Sequence, residues 1–312
     1  GIVKWWNTPN NQPLTSEQLK GKVVLVDFWT YSCINCIRTQ PVLRKWHEMY
    51  EKDGLVIIGV HTPEFAFEKD ARNVESAFKK ADLRYPIALD SDYGTWEAYE
   101  NRYWPAGYLF DRQGRLRYTH FGEGKYDVTE KAIRDLLAEG GHVSGEASGM
   151  DVTPDFNRII THETYFGSNR SNNWDNPGSV TLDTIQTFQK RNPPSDHWNI
   201  SGKWLINQEF AQTHDLRASF RMRVHADAMH LVLAALNGKP VRVKVLIDGK
   251  APSEEQRTPD MQRVGSDWIM TVTDSKLYRI ARFPDAKEHL VELQPLDATG
   301  LQFYAATFGE MK

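Results

Sequence analysis

Two cysteines three residues apart, Cys33 and Cys36, are the only thiols in this chain of 312 residues. They follow an apolar run at 22–29 and precede a helical pattern that starts at residue 37. A strand, a tight turn and a Cys-x-x-Cys pair that opens a helix are expected for dithiol–disulfide exchange. Free backbone N–H groups and the positive end of the helix dipole favour a thiolate at Cys33. Cys36 lies one helical turn on, where it can attack a mixed disulfide.

Three other interpretations of this cysteine pair are open. A structural disulfide would close a loop of only four residues and constrain the unfolded chain little. A zinc site needs four ligands, and His47 and His61, which could be imagined beside the cysteines, fit core or solvated positions better. A thiol peroxidase with Cys33 as the peroxidatic cysteine is the alternative from another reaction class, because Thr30-x-x-Cys33 matches a peroxiredoxin motif. That motif also needs a proline at the place of Val26.

Composition limits the classes of protein that this chain can belong to. Its length predicts two domains of about 100–200 residues each. A net charge of -3 without long basic runs argues against nucleic-acid binding. No apolar stretch approaches the roughly 18 residues that a membrane span needs. The chain starts without a signal-like segment, so it is expected to be cytosolic or cut from a longer precursor.

Hydrophobic periodicity predicts an α/β domain over residues 1–139. Its strand at 23–29 is almost wholly apolar, as in a central strand buried on both faces, and Asp27 is the exception within it. The helix after the cysteines contains Pro41, where a kink is expected. Further strands are predicted at 2–6, 55–60, 86–89, 106–110 and 116–121, and further helices at 14–19, 65–80, 93–99 and 128–138.

The pattern changes after residue 139. Residues 140–150 are predicted to form a flexible linker, because four of the ten residues at 140–149 are glycine. Beyond it, apolar and polar residues alternate at 216–225 and at 241–247, with further short strand-like segments up to residue 308. Many short strands with turn residues between them predict an all-β sandwich of the jelly-roll type over 151–312.

The residues around the cysteines resemble thioredoxin. Val-Leu-Val-Asp-Phe-Trp at 24–29 precedes Cys33-x-x-Cys36, and Asp27 lies six residues before the first cysteine, where thioredoxins keep a buried acid. Pro105 falls where the family carries a cis-proline beside the disulfide. The extra helix at 65–80 and the leading segment at 14–21 resemble the TlpA/ResA branch, which is membrane-associated and extracytoplasmic. The chain departs from these families in its Ile34-Asn35 dipeptide and in lacking a glutamate just after Cys36.

This resemblance implies roles for several residues. Asp27 is expected to be a buried base that helps to deprotonate Cys36 through a water, unless it is a strand-end acid paired with a lysine. Pro105 is expected to be cis and to present backbone to an extended substrate, unless it is an ordinary turn proline. A substrate groove is expected beside them, although a core role for Trp29 is open; its predicted lining is Trp29, Tyr31 and Trp104.

The second half resembles the C-terminal portion of DipZ-type proteins, at 198–204 and 300–309. These fuse a CcdA-like membrane electron-transfer domain to a thioredoxin-like domain and a carbohydrate-binding-module-like sandwich. The resemblance implies an extracytoplasmic relay, tethered through a region absent from this chain, that passes electrons from the membrane domain to disulfides of proteins. It implies no cofactor beyond the redox-active Cys33–Cys36 disulfide. Trp174 and Trp198 are candidates to stack on sugars of a cell-envelope glycan; core packing, protein docking or a spacer role are the alternatives.

Overall fold

The first part of the chain builds one mixed sheet with helices packed against it. The computed structural model describes residues 1–141, 143–176 and 178–311, and they form two units, Gly1–Thr153 and Pro154–Met311. The elements of the first unit are β1 (Lys4–Trp6), α1 (Ser16–Leu19), β2 (Val23–Trp29), α2 (Ile34–Tyr50), β3 (Leu55–His61), α3 (Ala71–Lys80), β4 (Ile87–Leu89), α4 (Gly94–Ala98), β5 (Ala106–Phe110), β6 (Leu116–Phe121) and α5 (Tyr126–Ala138). The sheet has the order β1-β4-β3-β2-β5-β6.

Strand β2 lies inside this sheet, parallel to β3 and antiparallel to β5. All seven of its residues are buried, as its apolar sequence predicts. Because successive side chains of a strand point to opposite faces, Leu25 and Trp29 join one core cluster and Val26 joins the other. Asp27 has the parity of Leu25 and Trp29. It therefore lies on the face of the sheet whose core also contains Cys36.

Helix α2 starts at Ile34, three residues before the predicted start at residue 37. Cys33 is its N-cap, with an extended backbone (φ -75°, ψ 119°) and a sulfur that accepts the N–H of Cys36. Pro41 lies inside the helix, where it removes one backbone donor. The helix remains continuous up to Tyr50, and its buried face packs into the same core as β2.

The helix predicted over 65–80 is instead two segments. A short 3-10 helix spans Ala66–Lys69, and α3 begins only at Ala71. Asp70 separates them, because its backbone is extended (φ -71°, ψ 113°) and its carboxylate accepts the N–H of Arg72 as the N-cap of α3. Aspartate side chains often compete with helical hydrogen bonds in this way, and the periodicity of the apolar residues did not reveal it.

The segment predicted as a flexible linker, 140–150, is tied to the first unit. Ser148 donates its backbone N–H and its hydroxyl to Glu130 of α5, each at 2.6 Å. Ser144 makes the corresponding two contacts with Asp53, at 2.8 and 2.9 Å. The boundary between the two units falls between residues 153 and 154. Serines between the glycines thus anchor this stretch; residue 142 lies outside the described part of the chain.

The second unit is all-β. Its strands are β7 (Thr164–Tyr165), β8 (Ile185–Phe188), β9 (Trp198–Ile206), β10 (Ala211–Thr213), β11 (Ser219–His225), β12 (Ala228–Ala235), β13 (Val241–Ile247), β14 (Met261–Val264), β15 (Asp267–Val272), β16 (Lys276–Arg282), β17 (Glu288–Pro295) and β18 (Leu301–Phe308). These strands join one antiparallel network with the order β14-β15-β13-β17-β11-β9-β10-β18-β12-β16, to which β7 and β8 add at β18 and β9.

Strand β9 turns this network into two layers. Its first half pairs with β11 and its second half with β8 and β10. Gly202 lies at the change of partner with φ +84°, and a Cβ there would meet the Cα of Ala218 at 2.8 Å, so only glycine suits this position. The rings of Phe220 on β11 and Phe303 on β18 stack with centroids 4.8 Å apart. The predicted all-β sandwich is therefore confirmed, whereas its jelly-roll, carbohydrate-binding-module-like character stays a prediction.

Candidate active site

The two cysteines differ in how far they can be reached. Both are free thiols; Cys36 is 1 % exposed and Cys33 is half-buried at the start of α2. The sulfur of Cys33 accepts the backbone N–H of Cys36 at 3.3 Å. Burial, followed by the hydrogen bond to Cys33, raises the pKa of Cys36 well above its ordinary value. This asymmetry suits Cys33 to attack a partner from outside and Cys36 to act only on what is bound to Cys33.

Asp27 is a buried carboxyl on the Cys36 side of the sheet. Its residue is 5 % exposed, and burial raises its pKa to about 8. The negative charge of Asp27 is the last of the causes that raise the pKa of Cys36. A carboxyl with such a pKa can take up a thiol proton and release it again near neutral pH.

Pro105 lies in a loop that faces the accessible sulfur. The peptide bond between Trp104 and Pro105 is cis, as the resemblance implied. The carbonyl oxygen of Trp104 is 3.9 Å from the sulfur of Cys33, which donates to it. The loop before β5 therefore brings the backbone of Trp104 beside the nucleophile.

Two of the three residues predicted to line the substrate groove are buried, and the role of Trp104 stays a prediction. Trp29 is 2 % exposed and Tyr31 is 8 % exposed, so both rings belong to the core and cannot line an open groove. Trp104 is half-buried; its indole N–H donates to the carbonyl of Thr62 at 3.0 Å. The exposed rings beside this loop are instead Tyr103 and Phe121, which are 53 % and 48 % exposed and have centroids 5.3 Å apart. Phe121 ends β6, the strand at the edge of the sheet. The local sequence does not reveal which strand lies at the edge.

His61 packs behind the turn that leads into Cys33. It is fully buried, with its ring stacked on Tyr31 and edge-on to Trp29. Its Nε2 accepts the backbone N–H of Tyr31 at 3.3 Å and lies 3.4 Å from the hydroxyl of Thr30. Burial lowers the pKa of His61 to about 3, so it is neutral at physiological pH. Within the described ranges, no cluster of three or more His, Cys, Asp or Glu side chains is placed to hold a metal.

Glu68 is a buried acid near the cysteines that the sequence did not reveal. The residue has no exposed surface, and its carboxylate accepts the backbone N–H and the hydroxyl of Ser32, at 3.3 and 2.6 Å. It also accepts the backbone N–H groups of Glu64 and Phe65, at 2.6 and 3.0 Å. Burial, followed by the charge of Glu64, raises the pKa of Glu68 to about 7. The helix predicted over 65–80 gave no reason to single out Glu68. Its role depends on the break before α3, which the sequence did not predict.

A buried ion pair holds α2 on its other side. The guanidinium of Arg38 lies 3.0 Å from the carboxylate of Glu123, and their side chains are 2 % and 5 % exposed. Burial raises the pKa of Glu123, against the opposing effect of Arg38. A pair of this kind is costly to break on one side only, since the remaining charge stays buried.

The tryptophans predicted to bind sugars lie against the core of the second unit. Trp198 is fully buried, and its indole N–H donates to the carbonyl of Asn172 at 2.7 Å. Trp174 is half-buried, with its ring 4.3 Å from that of Trp198 and its N–H bonded to the carbonyl of Asn176. Trp198 therefore offers no face to a sugar ring, because it packs between strands of the sandwich. Trp174 exposes only part of its ring.

Comparisons with known proteins agree with this architecture. Residues 6–119 match the AhpC/TSA family, and residues 161–309 match the thioredoxin-like C-terminal domain. Protein DipZ of Mycobacterium bovis is 39 % identical over 254 residues, which are 80 % of this chain and 36 % of DipZ. The chain thus spans about a third of the length of this relative.

Other relatives are shorter and cover less than half of this chain. The thiol-disulfide oxidoreductase YkuV of Bacillus subtilis is 35 % identical over 130 residues, 41 % of this chain and 87 % of YkuV. The solution structure of a thioredoxin-like protein in the oxidized form is 34 % identical, covers 45 % of this chain and 91 % of its own, and has a TM-score of 0.40. Since this chain covers 87 % of YkuV at 35 % identity, it belongs to the family of thioredoxin-like thiol–disulfide oxidoreductases.

Proposed function

We propose that the chain is a thiol–disulfide oxidoreductase that exchanges electrons with disulfides of other proteins through Cys33 and Cys36. The observation that carries this proposal is the asymmetry of the pair. The accessible sulfur of Cys33 caps α2, and the thiol of Cys36 lies buried one turn behind it. A single accessible nucleophile with a protected resolving thiol is what two-step exchange requires.

The reaction proceeds in two balanced steps. The thiolate of Cys33 attacks one sulfur of a substrate disulfide, forming a mixed disulfide and releasing the first substrate thiolate. Cys36 then loses its proton and attacks the sulfur of Cys33, which releases the second substrate thiolate. The substrate disulfide gains two electrons and the chain is left with a Cys33–Cys36 disulfide. This pair is the redox group of the proposed function, with no further cofactor.

Asp27 is the proposed acceptor of the proton of Cys36. Its pKa of about 8 leaves it ionised in a minority of molecules at pH 7, and the ionised form can take the proton, directly or through a water. Because burial raises the pKa of Cys36, the resolving step needs such a base more than the first step does. Asp27 would therefore act on release of the mixed disulfide and not on its formation.

We further propose that the chain works outside the cytoplasmic membrane and receives electrons from a CcdA-like membrane domain. The supporting observation is the match to DipZ, which covers both units of this chain but leaves most of DipZ unmatched. No helix in the described part of the chain has the length and apolar character to cross a bilayer. Membrane vesicles that contain the DipZ membrane region should reduce the Cys33–Cys36 disulfide, and failure to do so would reject this partner.

Cell-envelope glycan is the proposed ligand of the second unit. Its support is the resemblance to carbohydrate-binding modules together with the partly exposed ring of Trp174. Trp198 takes no part, since it is buried in the core. A glycan array probed with the full chain tests this ligand. Silence on the array, with crosslinking to a protein partner, would replace it with a docking role.

A thiol peroxidase is not favoured by the geometry. The hydroxyl of Thr30, which a peroxidase would aim at its reactive sulfur, lies 3.4 Å from the Nε2 of His61. Val26 also stands where the peroxidase motif needs proline. YkuV and the ResA protein of Bacillus cereus, two of the relatives, are thiol-disulfide oxidoreductases by name.

Trapping of the mixed disulfide tests the proposed function. The reduced Cys36→Ser variant should form a stable covalent complex with an oxidised model protein, seen on a non-reducing gel and dissolved by dithiothreitol. The Cys33→Ser variant is the matched control and should form none, because its remaining thiol is buried. Equal trapping by both variants, or by neither, would reject the assigned roles.

A further inference from the structure

The turn that carries Cys33 is held by a buried carboxylate. Thr30 and Ser32, which flank Tyr31 in this turn, are 0 % and 1 % exposed. Oε1 of Glu68 accepts both the backbone N–H and the hydroxyl of Ser32, the residue directly before Cys33. Its Oε2 accepts two backbone N–H groups of the loop after β3. Glu68 therefore joins that loop to the turn.

These contacts are suited to the ionised form of Glu68. Three of the donors are backbone N–H groups, of Ser32, Glu64 and Phe65, and a backbone N–H can only donate. A protonated carboxyl would have to give its hydrogen to a hydroxyl, so the hydroxyl of Ser32 or Thr30 would have to turn round. Protonation of Glu68 thus weakens the link between the loop and the turn and removes a buried negative charge beside it.

Several ionisable groups lie around this turn, and substitution separates Glu68 from them. Glu64, in the same loop, repels the charge of Glu68 and contributes to raising its pKa to about 7. His61 is neutral at any pH of interest, because burial lowers its pKa to about 3. Burial raises the pKa of Asp27 to about 8 and that of Cys36 well above its ordinary value. A change in redox behaviour near pH 7 can therefore be assigned to Glu68 by substitution.

We propose that Glu68 is a positioning residue that acts on Cys33 through Ser32, and that its negative charge makes the Cys33–Cys36 couple more reducing. A negative charge beside the turn disfavours the Cys33 thiolate. Destabilising the reduced form lowers the reduction potential of a dithiol–disulfide couple. The proposal rests on the proposed exchange function. It adds that a residue outside the Cys-x-x-Cys motif changes the reduction potential of the cysteine pair as the pH changes.

The test is the midpoint potential of the full chain between pH 5.5 and 8.5, measured in graded thiol–disulfide buffers. Glu68→Gln keeps the size of the side chain and removes the charge. At pH 8 its couple should be more oxidising by about threefold to tenfold in the equilibrium constant, roughly 15 to 30 mV for two electrons. At pH 5.5, where Glu68 of the wild type is protonated and as uncharged as the glutamine of the variant, the two potentials should coincide. Glu130→Gln is the matched control, since Glu130 is also buried and bonded to a serine, and its potential should follow the wild type.

The outcomes separate this proposal from the proposed function. A wild-type chain without a reversible couple rejects both. If the wild type has a reversible couple and the potential of Glu68→Gln equals that of the wild type at every pH, only the role of Glu68 is rejected. A loss of thermal stability in the variant does not change this conclusion. If Glu68→Gln does not fold, Ser32→Ala decides: it removes one donor and keeps the charge, so the inflection near pH 7 should move to higher pH. An inflection that stays in place would overturn the proposal.

Discussion

Replacement of Asp27 by asparagine should have two separate effects. It should remove the destabilisation that comes from burying this carboxyl, and it should slow the step in which the carboxyl takes up the proton of Cys36. Burial raises the pKa of Asp27 from 3.8 to about 8, whereas in the unfolded chain it ionises near pH 4. Between these two values the folded form keeps a proton that the unfolded form has lost, so stability falls as the pH rises from about 4 to about 8. At about 1.4 kcal/mol per pKa unit, the loss amounts to roughly 6 kcal/mol.

The Asp27→Asn variant should lack this loss. Its advantage in unfolding free energy over the wild type should grow from pH 4 to pH 8 and then stay constant. Denaturant unfolding of the full chain, with hydrogen exchange of β2 peptides to report on the first unit, measures it. Asp135→Asn is the control, because Asp135 is an exposed partner of Lys131 and should give a flat difference across this range.

The same variant should slow only the second chemical step. Rapid-mixing experiments on reduced protein and a protein disulfide should show unchanged formation of the mixed disulfide. Its release at pH 8 should be about a hundredfold slower, at the low end of the effect of a general base. Unchanged release, or a stability difference that does not depend on pH, would refute the assignment of Asp27 as a buried base.

Two further substitutions test the packing around the site and in the second unit. Arg38→Met leaves the carboxylate of Glu123 buried and should lower the free energy of unfolding by about 3–5 kcal/mol at pH 8, measured by denaturant unfolding. The loss should be smaller at pH 5, because Glu123 has a raised pKa and can be neutralised there. Adding Glu123→Gln to the same chain should restore part of the lost stability. Equal losses at both pH values without restoration would contradict this. Trp198→Ala should cost about 3–5 kcal/mol in the second unit, as loss of a buried tryptophan does, and a variant as stable as the wild type would mean that Trp198 is not a core residue.

Local patterns predicted the centre of the first unit well. The apolar run at 22–29 identified β2, because a strand buried on both faces leaves an almost continuous apolar sequence. Cys33 and Cys36 were found from their spacing alone. Asp27 stood out because a carboxyl is exceptional in such a strand, and its parity places it towards Cys36. The position of Pro105 beside the cysteines was predicted only from the resemblance to thioredoxin, because no nearby residue in the sequence indicates it.

Features set by contacts distant in the sequence were missed. Glu68 bonds to Ser32, 36 residues away, and periodicity in its own segment predicts only a helix. Strand β9 was not predicted, because Gly202 interrupts its pattern where the strand changes partners. Trp29 and Tyr31 were placed in a groove because aromatic residues near a motif suggest binding, but the sheet and His61 enclose them.

A redox titration of the purified chain tests the central claim most directly. Equilibration in graded thiol–disulfide buffers, with the reduced and oxidised forms separated after alkylation, should give one reversible two-electron transition that involves both Cys33 and Cys36. A midpoint near about −270 mV would indicate a reductase and one near about −120 mV an oxidant, and either is consistent with exchange. The absence of any reversible two-electron couple would contradict the account.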